Sequence, residues 1–115
     1  MRKLLVPVLV LTLLGVLAAA GSQALARPVR SVKIGDDFFV RQGRPATITV
    51  SKGTQVTFRW RGSSLHNVHA RKGPVTFKSA FKRSGTFSKI LSRRGTYTIF
   101  CDIHAPDMKL TIKVN

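Results

Sequence analysis

Four stretches of the chain alternate inward-type and outward-type residues with a period of two. Ile48 and Val50 alternate with Thr47 and Thr49, and Val56, Phe58 and Trp60 alternate with Thr57, Arg59 and Arg61. Tyr97, Ile99 and Cys101 alternate with Thr96, Thr98 and Phe100, and Leu110, Ile112 and Val114 with Thr111 and Lys113. Successive side chains of a β-strand point to opposite faces, so each stretch reads as a strand with one face buried and one toward water. Turn signals separate them: Ser51-Lys52-Gly53, Gly62-Ser63-Ser64, Lys72-Gly73-Pro74, Ser84-Gly85 and Arg94-Gly95. Helical periodicity is weak and no internal repeat is present. Short strands at this spacing predict an all-β fold, a sandwich or a small barrel. Between Arg71 and Arg83 two readings stay open, a short strand around Val75-Thr76-Phe77 or an irregular loop.

The first 26 residues stand apart. Met1-Arg2-Lys3 is basic, Leu4 to Ala20 is apolar except at Thr12 and Gly15, and Ala24-Leu25-Ala26 offers small residues to an export peptidase. This order reads as a secretory signal peptide, residues 1–26, with cleavage expected after Ala26. The apolar run is also nearly long enough to span a bilayer, so an uncleaved N-terminal anchor is the alternative. Residues 27–115 then form one domain of 89 residues. The expected location is exported, periplasmic or extracellular. A domain of this size buries about 60% of its unfolded surface, so its core is modest. Cys101 is the only cysteine, so no disulfide within the chain supports that core. A lone thiol in an oxidising compartment is a liability unless it is buried or occupied.

Charge narrows the partners. Of 20 basic residues, 18 fall after residue 26 together with all four aspartates, a net of +14 for the domain. Such a field attracts acidic proteins, anionic envelope polymers or anionic lipid. It carries no signature of specific nucleic-acid recognition.

The end of the third alternating stretch carries the chemistry. Cys101-Asp102-Ile103-His104-Ala105-Pro106-Asp107-Met108 holds Cys-x2-His-x3-Met, three soft or borderline donors in eight residues. Cys101 shares the inward face of Tyr97 and Ile99, so its sulfur points into the fold at one end. The turn that follows can return His104 and Met108 to the same point, and Pro106 stiffens it by fixing its own φ. A further strong donor is needed. His66 and His69 lie three residues apart, and residues of opposite parity on a strand face opposite ways. His66 is nearer the Gly62-Ser63-Ser64 turn and hence the end of the fold, so it completes the set. Two imidazoles, one thiolate and a weak thioether suit copper in an electron-transfer site, whereas thioether is a poor zinc ligand.

On these residues the chain resembles the cupredoxins, within them the plastocyanin and amicyanin type. The likeness runs through Gly53-Thr54-Gln55-Val56-Thr57-Phe58, His66-Asn67-Val68, Gly95-Thr96-Tyr97 leading to Cys101, and Met108-Lys109 before the last strand. It implies a Greek-key β-sandwich, and one copper ion held at His66, Cys101, His104 and Met108. His66-Asn67-Val68-His69 is especially like amicyanin, whose second histidine here is not a ligand. The resemblance further implies that Asn67 braces the ligand loop by a hydrogen bond. In two places the chain departs from the pattern. The His-x3-Met spacing lies between the x2 of amicyanin and the x4 of plastocyanin, and Leu110 replaces a glycine that often follows the Met-Lys pair.

Taken singly, a buried cysteine is usually a small hydrophobe and a methionine core filler. Jointly, their spacing, strand context and the upstream His66 favour a metal site. His69 is expected at an edge or facing outward. Trp60 and Phe58 are expected in the core, and Tyr97 in a Greek-key corner. Asp36 and Asp37 fall in a loop after Ile34 with no catalytic role. No paired acids, nucleophile–base set or phosphate-binding glycine loop is present, so an enzyme is not expected. Three functions compete: a one-electron carrier serving acidic redox partners, a copper protein for delivery, storage or tolerance, and a basic module binding polyanions. A monomer is expected.

Overall fold

The computed structural model describes Lys3 and residues 26–115. The expected signal peptide, Lys3 and Ala26 apart, lies outside these residues. Among the described residues no helix is long and apolar enough to cross a membrane.

Among the described residues nine strands form two sheets: β1 Val29–Gly35, β2 Phe38–Phe39, β3 Ala46–Val50, β4 Thr54–Trp60, β5 His69–Lys72, β6 Phe77–Lys78, β7 Gly85–Leu91, β8 Gly95–Phe100 and β9 Lys109–Val114. One sheet has the order β2-β1-β4-β7 and the other β3-β9-β8-β5-β6. Both are mixed, because β1 runs parallel to β4 and β3 parallel to β9. The expected β-sandwich is the architecture observed.

The parallel registers follow from burial. Val32 and Ile34 sit opposite Phe58 and Trp60, and Ile48 and Val50 opposite Ile112 and Val114. All eight side chains are buried, so a slip of one residue would turn each row toward water. The four alternating stretches are β3, β4, β8 and β9, and their inward rows make most of the core. Phe58, at the centre of β4, is fully buried against Phe39 and Phe87. Truncating it to alanine would cost about 3–5 kcal/mol.

Two strands lie outside those stretches. In β1 the first three residues are exposed, and only Val32 and Ile34 show the pattern. In β7 the pattern is inverted, since Ile90 faces outward while Lys89 lies partly buried with its ammonium 5.6 Å from the centre of the Phe77 ring. Within residues 71–83 the short strand is Phe77–Lys78, paired with His69 and Ala70. Tyr97 fills its expected corner: its hydroxyl donates to the Arg93 carbonyl at 2.8 Å, where the chain passes from β7 to β8.

Candidate metal centre

Cys101 follows β8 directly and keeps the inward parity of Tyr97 and Ile99, so its thiol is fully buried. The loop from Cys101 to Met108 is closed by its own backbone. The His104 N–H donates to the Cys101 carbonyl at 3.2 Å, Met108 N–H to the His104 carbonyl at 3.1 Å, and Cys101 N–H to the Met108 carbonyl at 3.3 Å. The last contact extends the β8–β9 ladder one step beyond the Phe100–Lys109 pair. Directly opposed residues of an antiparallel pair share a face, with Cβ atoms about 4.5–5.5 Å apart. Met108 is buried and continues the inward row of Leu110, Ile112 and Val114. The x3 spacing therefore brings Met108 to the end of the core occupied by Cys101.

His66 reaches the same point from the segment between β4 and β5. That segment is not a continuous strand; His66 makes a single bridge to Lys82, with hydrogen bonds of 3.0 and 2.9 Å. The Trp60 indole N–H also donates to the His66 carbonyl at 3.2 Å. Three bonds thus fix the backbone beneath the imidazole, which is 1% exposed. His69 opens β5, and its Nδ1 lies 2.8 Å from Asp102 Oδ1 instead.

The donor atoms converge. His66 Nδ1 lies 3.8 Å from Cys101 Sγ, and His104 Nδ1 lies 3.5 Å from it. The two rings are 5.0 Å apart between centroids. Ligand atoms of His66, Cys101 and His104 all fall within 4.8 Å of one another. A metal bonded to sulfur at about 2.3 Å and to nitrogen at about 2.0 Å, with about 120° between the bonds, sets these atoms about 3.7 Å apart. The two observed sulfur–nitrogen separations bracket that figure, as expected of donors that would share one ion. Burial, reinforced by neighbouring His104, pushes His66 below the usual imidazole range, which keeps the ring neutral as a ligand must be.

A polar cluster braces this arrangement from outside. Asn67 is fully buried. Its carbonyl oxygen accepts from the Asp102 N–H at 2.8 Å and its amide donates to the Asp102 carboxylate at 2.8 Å. The residue after one ligand is thus fastened to the residue after another, which is the brace expected of Asn67. Asp102 gathers further partners that the sequence did not disclose: His69 Nδ1 at 2.8 Å, Arg71 Nη2 at 2.7 Å and Lys78 Nζ at 4.0 Å. Burial opposes charge on Asp102, but the hydrogen bonds from Asn67, Arg71 and His69 outweigh it and hold the carboxyl well below the usual range. His69 is accordingly half-buried against the Asp102 carboxylate. Asp36 and Asp37, expected in a loop with no catalytic role, also lie at the site. Asp36 accepts from the N–H groups of Ser63 and Ser64, and Asp37 Oδ1 lies 3.0 Å from His104 Nε2.

The copper-binding proteins of the plastocyanin/azurin family match residues 32–115. The chain belongs to that family, and its cofactor is copper. Solved structures share the fold. A reduced amicyanin variant is 23% identical with a TM-score of 0.62, covering 79% of this chain and 86% of its own. The purple cupredoxin from Nitrosopumilus maritimus is 17% identical with a TM-score of 0.62, covering 74% of this chain and 98% of its own. The copper-containing nitrite reductase from Thermus scotoductus SA-01 is 23% identical with a TM-score of 0.63 over 84% of this chain, but the match spans only 24% of that enzyme's chain. No curated protein sequence matches.

Proposed function

We propose that this protein is an exported one-electron carrier whose copper would be held by His66, Cys101 and His104, with Met108 as a weak fourth donor. The observation that carries the reading is the convergence of two Nδ1 atoms on one buried thiol, at 3.5 and 3.8 Å, within a frame of fixed backbone. Copper in such a set supplies a one-electron couple. The chain's contribution is to hold donors that suit both oxidation states so firmly that neither state moves them. Sulfur favours the reduced ion and imidazole the oxidised one. Trp60, Lys82 and Asn67 keep the ligands from relaxing toward either preference.

Burial argues for a carrier over a protein that hands its metal on. Cys101 is 0% and His66 1% exposed, so an incoming chelator has no path to two of the three strong donors. His104 differs: its side chain is 29% exposed, beside Ile103 at 50%. It offers a partner the short route into the site. The expected signal at residues 1–26 would deliver the domain to the cell envelope, and its net charge of +14 would steer an acidic redox partner toward it. Such steering is screened over about 8–10 Å at ordinary salt.

Stopped-flow oxidation of the reduced copper protein, set beside its rate of copper loss to a strong chelator, tests this reading. The expected result is fast electron exchange, slow copper release, and a rate with an acidic partner that falls steeply as salt rises. Slow exchange with every oxidant, with rapid copper release, would favour delivery or storage instead.

A further inference from the structure

The domain has only four acidic residues, and two of them, adjacent in sequence, face the two imidazoles from outside. β1 and β2 pair through Gly35 and Phe38, which leaves Asp36 and Asp37 as the two-residue turn between them. Asp37 takes a φ of 66°, a left-handed conformation that aspartate and asparagine tolerate better than most residues. The turn is anchored by Asp36. Its Oδ1 accepts from Ser63 N–H at 2.9 Å and Ser64 N–H at 3.0 Å, and Ser63 Oγ reaches Oδ2 at 3.4 Å. A side chain at position 62 would collide with this carboxylate, since a Cβ built on Gly62 falls 2.1 Å from Asp36 Oδ1. Glycine there lets the carboxylate close on the loop that leads to His66.

Fixed in this way, the turn sets one carboxylate toward each histidine. Asp36 Oδ1 lies 3.9 Å from His66 Nε2, a buried nitrogen that has no hydrogen-bond partner among the described residues. Asp37 Oδ1 lies 3.0 Å from His104 Nε2. In both rings the nitrogen toward Cys101 is Nδ1, so the carboxylates act on the far side of each ligand. A negative charge in that place favours the metal ion of higher charge. Within a strongly basic domain, this local field has the opposite sign to the global one.

We infer that the Asp36–Asp37 turn is an electrostatic brace on both histidine ligands, with Asp37 the positioning residue that biases the copper toward its oxidised form. The inference rests on His66 and His104 being the ligands proposed above. Asp37→Asn keeps the side chain's shape and its fitness for a left-handed turn, and removes only the charge. In a reversible redox titration of the copper protein against a small inorganic couple, Asp37→Asn should shift the balance toward Cu(I) by about tenfold, equivalent to ~59 mV for one electron. Binding to the metal-free protein gives a second readout. Asp37→Asn should weaken Zn(II) binding about tenfold more than Ag(I) binding, because the lost charge acts twice as strongly on the divalent ion. A potential that moves by less than twofold in the Cu(II)/Cu(I) ratio, or equal losses for Zn(II) and Ag(I), would overturn the inference while leaving the site intact. An unaltered protein with no Cys101-dependent copper colour would remove the site itself, and the brace with it.

Discussion

Replacing Asn67 by alanine should weaken both the fold and the metal site, by amounts that can be worked out from its contacts. Asn67 is fully buried and makes two 2.8 Å hydrogen bonds, one from the Asp102 N–H and one to the Asp102 carboxylate. The neutral bond contributes about 1 kcal/mol and the charged one about 1.5–3 kcal/mol. Asp102 retains Arg71 and His69 for its carboxylate, so the second loss is partly offset. The Asp102 N–H, which is part-buried, has no such replacement, and leaving it unpaired costs about 1 kcal/mol, the low end of the range for a buried donor. The total comes to about 3 kcal/mol. For a domain of this size each kcal/mol lowers the melting temperature by about 4–8 °C, so a fall of roughly 12–24 °C is expected. The same bonds tie the residue after His66 to the residue after Cys101, and loss of such an outer brace typically costs 10–100-fold in metal affinity. Thermal unfolding of the metal-free protein and competition titration of copper would read the two effects separately. A fall of less than about 4 °C with unchanged copper affinity would refute the role given to Asn67.

Three further outcomes are expected. His66→Ala should abolish the copper spectrum, while His69→Ala should leave it nearly unchanged, because Asp102 keeps Asn67 and Arg71 when His69 is gone; visible spectra of the two variants decide it. Met108→Leu should keep copper bound and shift the potential upward by about tenfold in the Cu(II)/Cu(I) balance, ~59 mV, measured by redox titration. Total loss of copper from that variant would make the thioether a primary ligand, and an unchanged potential would place it out of reach. Trp60→Phe removes the 3.2 Å hydrogen bond that holds the His66 carbonyl. It should cost about 1 kcal/mol in denaturant unfolding with copper still bound.

The parts of this molecule that were legible in the sequence are those whose causes are local. β3, β4, β8 and β9 declare themselves because each has one wet and one dry face. Cys101, His104 and Met108 declare themselves because eight residues hold all three. His66 was found by asking which donor was missing. β1 and β7 were not legible, because an exposed first half and an inward lysine blur their alternation. Nor was the parallel pairing of β1 with β4 and β3 with β9, which joins stretches far apart in the chain. The carboxylates escaped for the same reason. Asp36 acts on Ser63 and Ser64, 27 and 28 residues away, and Asp37 meets His104 across an even longer separation. An aspartate pair after a strand reads as an ordinary turn, and only the assembled sandwich sets it against the histidines. The engagement of His69 with Asp102 was equally hidden, because it depends on β5 and β8 being neighbours.

The central claim, one copper ion bonded to the Cys101 thiolate between two imidazoles, is tested most directly by the visible spectrum of the copper-loaded protein and of its Cys101→Ser variant. The unaltered protein should take up one Cu(II) per chain and show the intense red-region absorption of a copper–thiolate bond, and Cys101→Ser should lose that band entirely. A band that survives the substitution, or stoichiometric copper binding with no such band in the unaltered protein, would contradict it.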